Sequence, residues 1–107
     1  MNMKVKKRYE AKAGIMKALS HSTRLFIVDQ LRERERCVCE LTRMVGHDIS
    51  TVSRHLLILK NAGIVSDEKR GTQVFYTLRI PCVLDFLQCA ERVLQRTADD
   101  LAAAAMR

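Results

Sequence analysis

The stretch from Glu40 to Ala62 constrains the fold more than any other part of the chain. A short helical pattern from about Cys39 to Val45 stops at Gly46. Gly46, His47 and Asp48 leave room only for a three-residue turn, and Asp48 is placed to cap a second helix whose apolar face is Val52, Leu56 and Leu59. Two helices joined by so short a turn make a helix-turn-helix unit. The second helix ends at a strong stop signal. Gly63 falls at the left-handed position after the last turn, and Ile64 can fold back onto Leu59, which is the Schellman pattern.

Two strand-like runs follow, Ile64 to Lys69 and Thr72 to Leu78. The second alternates Val74, Tyr76 and Leu78 with Gln73, Phe75 and Thr77. Arg70 and Gly71 fall at the tip, where glycine supplies the positive φ of a tight hairpin. Upstream, Lys4 to Leu19 reads as a helix carrying Val5, Tyr9, Ala13, Ile15, Met16 and Leu19. Ser20, Ser22 or Thr23 can cap the next helix, with Leu25, Phe26, Val28 and Leu31 as its apolar set. After Pro81 a long helix runs to the C-terminus with two stripes, Cys82, Phe86, Cys89 and Val93, then Val83, Leu87, Ala90 and Leu94. The order α-α-α-α-β-β-α is mainly α with a small β-hairpin, a winged helix-turn-helix. Residues 1–107 read as one domain, with the helix-turn-helix over 39–62 and the wing over 64–78.

A chain that is 48% hydrophobic and 29% charged is neither disordered nor fibrous. Aromatics make up only 5% and Trp is absent, so aliphatic side chains must fill the core. With 107 residues that core is modest, and a dimer interface would add buried area. The longest apolar runs, such as Leu101 to Met106, fall short of the about 20 residues a bilayer span needs. No leader pattern opens the chain, so it reads as cytoplasmic, with no membrane partner. Its four cysteines are then expected as thiols or metal ligands rather than disulfides.

Charge points to the partner. Nineteen Lys and Arg against twelve Asp and Glu give +7, which suits a polyanion. Six of the basic residues lie between Lys4 and Lys17 with Glu10 as the sole acid there, whereas Arg32 to Arg36 alternates in sign like a solvated helix end. At the start of the second helix of the helix-turn-helix, Ser50, Thr51, Ser53, Arg54 and His55 sit where base edges and phosphates are met. Arg54 can take guanine in bidentate fashion, and Lys69 and Arg70 at the hairpin tip can reach the backbone or minor groove. Small polar residues on one helix face are often merely solvated. Joined to the turn, the hairpin and the net charge, they favour double-stranded operator DNA as the partner.

The segments "ALSHSTRLFIVDQL", "CVCEL", "ISTVSRHLLILKNAGIV" and "RGTQVFYTL" occur in this order and spacing. Together they resemble the ArsR/SmtB family of bacterial metal- and metalloid-responsive repressors, over roughly Leu19 to Leu94. The resemblance implies a homodimer joined by the first and last helices, here 1–18 and 81–107. It also implies repression of an operon without any required cofactor, and release from DNA when an inducer binds.

"CVC" at Cys37 to Cys39 resembles the thiolate box of the arsenic- and cadmium-responsive members. Arsenite is a soft, three-coordinate centre that prefers thiolates, as do cadmium and zinc. In a regular helix, residues two apart point about 200° away from each other. Cys37 and Cys39 can therefore share an ion only if the helix is unwound or begins between them. The third cysteine of the family's arsenic box is replaced here by Thr42, and no cysteine precedes Cys37. A third ligand must come from elsewhere, and Cys82 and Cys89 are the candidates. They lie seven apart, with about 10 Å of axial rise between them, so one straight helix cannot place both on one ion. Two antiparallel copies of that helix in a dimer can, and either cysteine can approach the Cys37–Cys39 pair. On an apolar stripe each serves equally well as a small core residue.

His21, His47 and His55 form no helical ligand pair. His55 fits the family's "VS-x-HL" pattern, which implies a structural or DNA-facing role, and His47 is expected to face solvent. Two inducer classes remain: arsenite or a related soft metal ion, and a redox or reactive-sulfur signal read by the same thiols without metal. An enzyme is excluded by the lack of a phosphate-binding glycine loop, a nucleophile elbow or a convincing carboxylate pair, since Asp99 and Asp100 are merely adjacent. A plain protein–protein module would show no salt-sensitive DNA binding.

Overall fold

In the computed structural model, which describes residues 1–106, the elements run α1 (Met3–Leu19), α2 (Ser22–Leu31), β1 (Arg36–Cys37), α3 (Val38–Val45), α4 (Ile49–Asn61), β2 (Val65–Arg70), β3 (Gln73–Leu78) and α5 (Val83–Ala105). Helix α4 ends as its sequence predicts. Gly63 has φ 79°, its N–H donates to the Lys60 carbonyl at 2.9 Å, and the Ile64 N–H donates to the Leu59 carbonyl at 3.0 Å. Those are the two bonds of a Schellman cap. The reversal points the chain straight into β2 and buries Ile64 fully.

Four details of the elements and their ends depart from the sequence reading. A strand, β1, stands between α2 and α3, so the order is α-α-β-α-α-β-β-α and the hairpin is part of a three-stranded antiparallel sheet ordered β1-β3-β2. A two-residue strand is too short for periodicity to register. Arg36, expected on a solvated helix end, is buried in β1 because three acceptors surround its guanidinium. Helix α2 is capped by His21, whose Nδ1 accepts from the Thr23 N–H at 3.1 Å. Finally, β2 and β3 pair from Val65↔Leu78 to Arg70↔Gln73, so the tip is Gly71–Thr72 and Arg70 is the last strand residue. Positive φ occurs at Gly71 alone of these two, the signature of a turn with glycine first.

The core gathers Ile27, Val28 and Leu31 of α2, Leu41 of α3, Val52, Leu56 and Leu59 of α4, Ile64, Val65 and Tyr76. Ile27 belongs to it, whereas Phe26, expected inside, is exposed. Helix α1 contributes only Ala18 and Leu19, and α5 has no buried residue at all. The outcome is an extended molecule with a radius of gyration of 17.2 Å. A compact chain of this length has about 13 Å. No helix among the described residues is long and apolar enough to cross a membrane.

Candidate DNA-reading face and thiol site

Helix α4 buries Val52, Leu56 and Leu59 and turns its other side outward. Ser53 and Arg54 are exposed, and neither side chain has a protein partner among the described residues. Ser50 and Thr51 are differently placed. Their hydroxyls donate to the two oxygens of Asp48 at 2.8 and 2.5 Å. These bonds, Thr51 first, hold the Asp48 carboxyl below the usual carboxylate range. Asp48 thus stands at the N-cap without bonding a backbone N–H, its oxygens spent on the two hydroxyls. Ser50 and Thr51 keep only their lone pairs to offer.

His55 is half-buried and faces the start of α2. Arg24 Nη1 donates to its Nδ1 at 3.2 Å, and its ring lies 4.4 Å from that of His21. A guanidinium only donates, so Nδ1 must be unprotonated. Desolvation first, then His21, Arg24, His47 and Arg54, push the His55 pKa below its ordinary value. Arg24 Nε also donates to the Ala18 carbonyl at 2.6 Å. His55 therefore ties α4 to α1 and α2, and its polar edge is turned to the protein. His47 is exposed in the turn.

At the wing, Lys69 is exposed and without a partner among the described residues. Arg70 is occupied. Its Nη1 and Nη2 donate to the two oxygens of Glu35 at 2.6 and 2.9 Å, and Nη2 also donates to Glu68 at 2.9 Å. Its guanidinium lies 4.7 Å from the centre of the Phe75 ring. The two carboxylates hold the Arg70 pKa above its usual value, and Arg70 in turn holds Glu35 below its own. The partner carboxylate, Glu35, lies 35 residues away, which pattern reading does not reach.

The thiol box has a definite local shape. Helix α3 begins at Val38, between the two cysteines. Cys37 is the N-cap with extended φ −76° and ψ 160°, and its Sγ accepts from the Glu40 N–H at 3.4 Å. Cys37 is buried and Cys39, in the first turn, is exposed. Thr42 donates its hydroxyl proton to the Val38 carbonyl at 2.7 Å. Arg34 and Arg36, which put positive charge beside the box in the sequence, are both engaged by Glu40, and Arg36 also by Glu33 at 3.1 Å. Arg34 first, then Arg36, keeps the Glu40 carboxyl below its usual range.

Cys82 and Cys89 are exposed, Cys82 directly before α5 and Cys89 in its second turn. Cys82 also borders a small apolar cavity of about 290 Å³ with Ile15, Met16 and Phe86. Among the described residues, no three His, Cys, Asp or Glu side chains of one chain come close enough to hold a metal ion.

The comparisons with known proteins agree with this architecture. The profile of the bacterial regulatory protein, arsR family, matches residues 21–67. An uncharacterized HTH-type transcriptional regulator of Mycobacterium tuberculosis, Rv0081, is 36% identical over 93 residues, which is 86% of this chain and 82% of that protein. Its crystal structure superposes with a TM-score of 0.77 over 88% of this chain and 95% of the other. The cadmium resistance transcriptional regulatory protein CadC of Listeria innocua is 35% identical over 77 residues, 71% of this chain and 65% of CadC. A homodimeric winged helix-turn-helix DNA-binding domain from Mycobacterium bovis, a possible ArsR-family transcriptional regulator, matches with a TM-score of 0.78 at 25% identity, over 94% of this chain and 93% of that one. With the fold and relatives across most of its length in agreement, the chain belongs to the ArsR family, whose members regulate transcription by binding DNA and are not enzymes.

Proposed function

We propose that this protein is a homodimeric repressor that lets go of its operator when Cys37 and Cys39 capture a soft thiophile, arsenite foremost and cadmium or zinc next. The carrying observation is the start of α3 at Val38. Because Cys37 is extended and only Cys39 is helical, the about 200° divergence of residues two apart in a helix does not apply to them. Arsenous acid condenses with thiols without redox change. Each As–S bond forms as one As–OH leaves as water with the thiol proton, and three such steps give a trigonal centre.

The third thiol comes from Cys82 or Cys89, in the same chain or across the dimer, since Thr42 offers no sulfur and its hydroxyl proton is already given to Val38. Residues 1–18 and 81–107 serve as the dimer layer. DNA is held by the exposed start of α4, with Ser53 and Arg54 at base edges, Ser50 and Thr51 as acceptors, His55 as a brace behind them, and Lys69 at the wing, where Arg70 positions the tip through its pairs with Glu35 and Glu68. The relation to CadC supports a soft ion as the inducer.

A second reading rests on the exposure of Cys39, Cys82 and Cys89, which leaves three thiols open to an oxidant or a persulfide. Ultraviolet titration of the reduced protein with arsenite separates the two. The metalloid reading expects thiolate-to-arsenic absorption that saturates at one arsenic per chain or one per shared site. It expects the band to vanish in Cys37→Ser or Cys39→Ser and to weaken in whichever of Cys82→Ser and Cys89→Ser removes the third ligand. No band with arsenite, together with DNA release by peroxide or persulfide, assigns the thiols to redox sensing.

A further inference from the structure

We propose that the Glu35–Arg70 ion pair is a latch through which the thiol box governs the wing, so that ligand capture by Cys37 and Cys39 is read out as a freed wing tip. The inference rests on the reading of Cys37 and Cys39 as the inducer site.

The sheet supplies the path. Cys37 is the second residue of β1, and β1 pairs with β3, the wing strand that lies between β1 and β2. In register, Cys37 stands opposite Phe75 and Arg36 opposite Tyr76. Arg70, the last residue of β2, rests on the ring of that same Phe75 and reaches across to Glu35 with two parallel bonds of 2.6 and 2.9 Å. One side chain thus fixes the outer edge of the wing both to the residue facing the thiol and to the residue two positions before it.

The thiol segment is also held on its other side. Arg36 is buried, donates to the Gln30 carbonyl at 3.1 Å, and pairs with Glu33 and Glu40. The Glu40 N–H in turn spends itself on Cys37 Sγ. A ligand that binds Cys37 Sγ together with Cys39 competes for the lone pairs the cap uses and reorients the Cys37 side chain. Cys37 is joined to Arg36 and Glu35 by two peptide bonds and to Phe75 by strand pairing, so its displacement acts directly on both anchors of Arg70.

Both partners of the latch are part exposed, with side-chain accessibilities of 42% and 41%. Such a pair contributes about a two- to fivefold factor, enough to bias the wing and not to hold it alone.

Hydrogen exchange of the wing, residues 65–78, tests this in the wild type, Glu35→Ala and Glu68→Ala, each with and without arsenite. Native mass spectrometry counts the arsenic bound. Glu68 also holds Arg70 but sits on the wing itself, so its loss leaves the latch closed. In the absence of arsenite, Glu35→Ala should exchange its wing-tip amides about two- to fivefold faster than the wild type, and Glu68→Ala should not. Arsenite should speed the wild-type wing and add little to Glu35→Ala. Equal exchange in wild type and Glu35→Ala without arsenite overturns the latch, whatever arsenic does. A bound arsenic that leaves the wild-type wing unchanged overturns the readout. No arsenic adduct at all defeats the inducer reading, and the latch as its readout with it.

Discussion

Arg54 on α4 and Arg70 at the wing are both exposed arginines, yet of the two only Arg54 has its guanidinium free among the described residues. Replacing Arg54 with Ala should weaken operator binding by about 1–3 kcal/mol if it meets a base, while Arg70→Ala should cost less, because the carboxylates of Glu35 and Glu68 must first surrender it. Titration of both variants by anisotropy at one fixed salt concentration checks the order, and equal losses would count against it. His55 gives a pH signature. Unfolded, it titrates near 6.5, and folded it titrates lower. The unfolded state therefore binds more protons in between, so His55's contribution is complete above about pH 6.5 and fades as pH falls toward the folded value. Urea unfolding at about pH 7 and about pH 5.5 should show the wild type losing stability, and His55→Gln, which still offers Arg24 an acceptor, losing less. Arg54 and Ser53 were readable from sequence because exposure follows from helical period. The engagement of Ser50, Thr51 and His55 was not, since each depends on a partner that the period does not name.

Helix ends and the short strand decide how the site works. Cys37 is both a candidate ligand and the N-cap of α3, so the choice of substitution matters. Serine is a preferred N-cap residue and alanine is not. Cys37→Ser should keep wild-type stability and lose induction, whereas Cys37→Ala should also cost about 1 kcal/mol in urea unfolding. At the other end, Gly63→Ala meets no atom closer than Arg79 Nη1 at 4.0 Å, so only the strain of φ 79° acts. A loss of about 1–2 kcal/mol is expected, measured the same way. The Gly63 stop was fully legible, because a left-handed cap with its apolar partner is a local signal. Strand β1 was not, because two residues carry no period and their pairing with β3 is a contact across about forty positions. With β1 unseen, the surroundings of Cys37 and the link from Glu35 to Arg70 were out of reach as well.

At the scale of the whole molecule, the unsatisfied surface is the long α5 helix. Val83, Phe86, Leu87, Ala90, Val93, Leu94 and Leu101 follow helical spacing along one side, yet Phe86, Val93, Leu94 and Leu101 remain 50–70% exposed. Helix α1 leaves Tyr9, Ile15 and Met16 exposed as well, and Ile15 and Met16 share a cavity with Phe86 of α5. Only Val83, Leu84 and Leu87 of this 23-residue helix pack against the core, and none of its residues is buried, so under the proposed dimer its apolar stripe is the surface a second copy would cover. Leu94→Glu combined with Leu101→Glu should shift sedimentation from dimer to monomer and abolish operator binding, and a dimer that survives both would place the interface elsewhere. The stripes of α5 were visible in sequence. The proposed approach of Cys82 or Cys89 to a thiol of a second copy was not, because that depends on how two copies are set against each other. Fluorescence anisotropy reads directly whether thiol capture in the Cys37–Cys39 box releases DNA. The reduced protein is bound to labelled DNA from upstream of its own gene and titrated with arsenite, alongside Cys37→Ser. The wild type should be released, and Cys37→Ser should stay on the same DNA. Release of both proteins alike, or of neither while each binds the DNA, would contradict it.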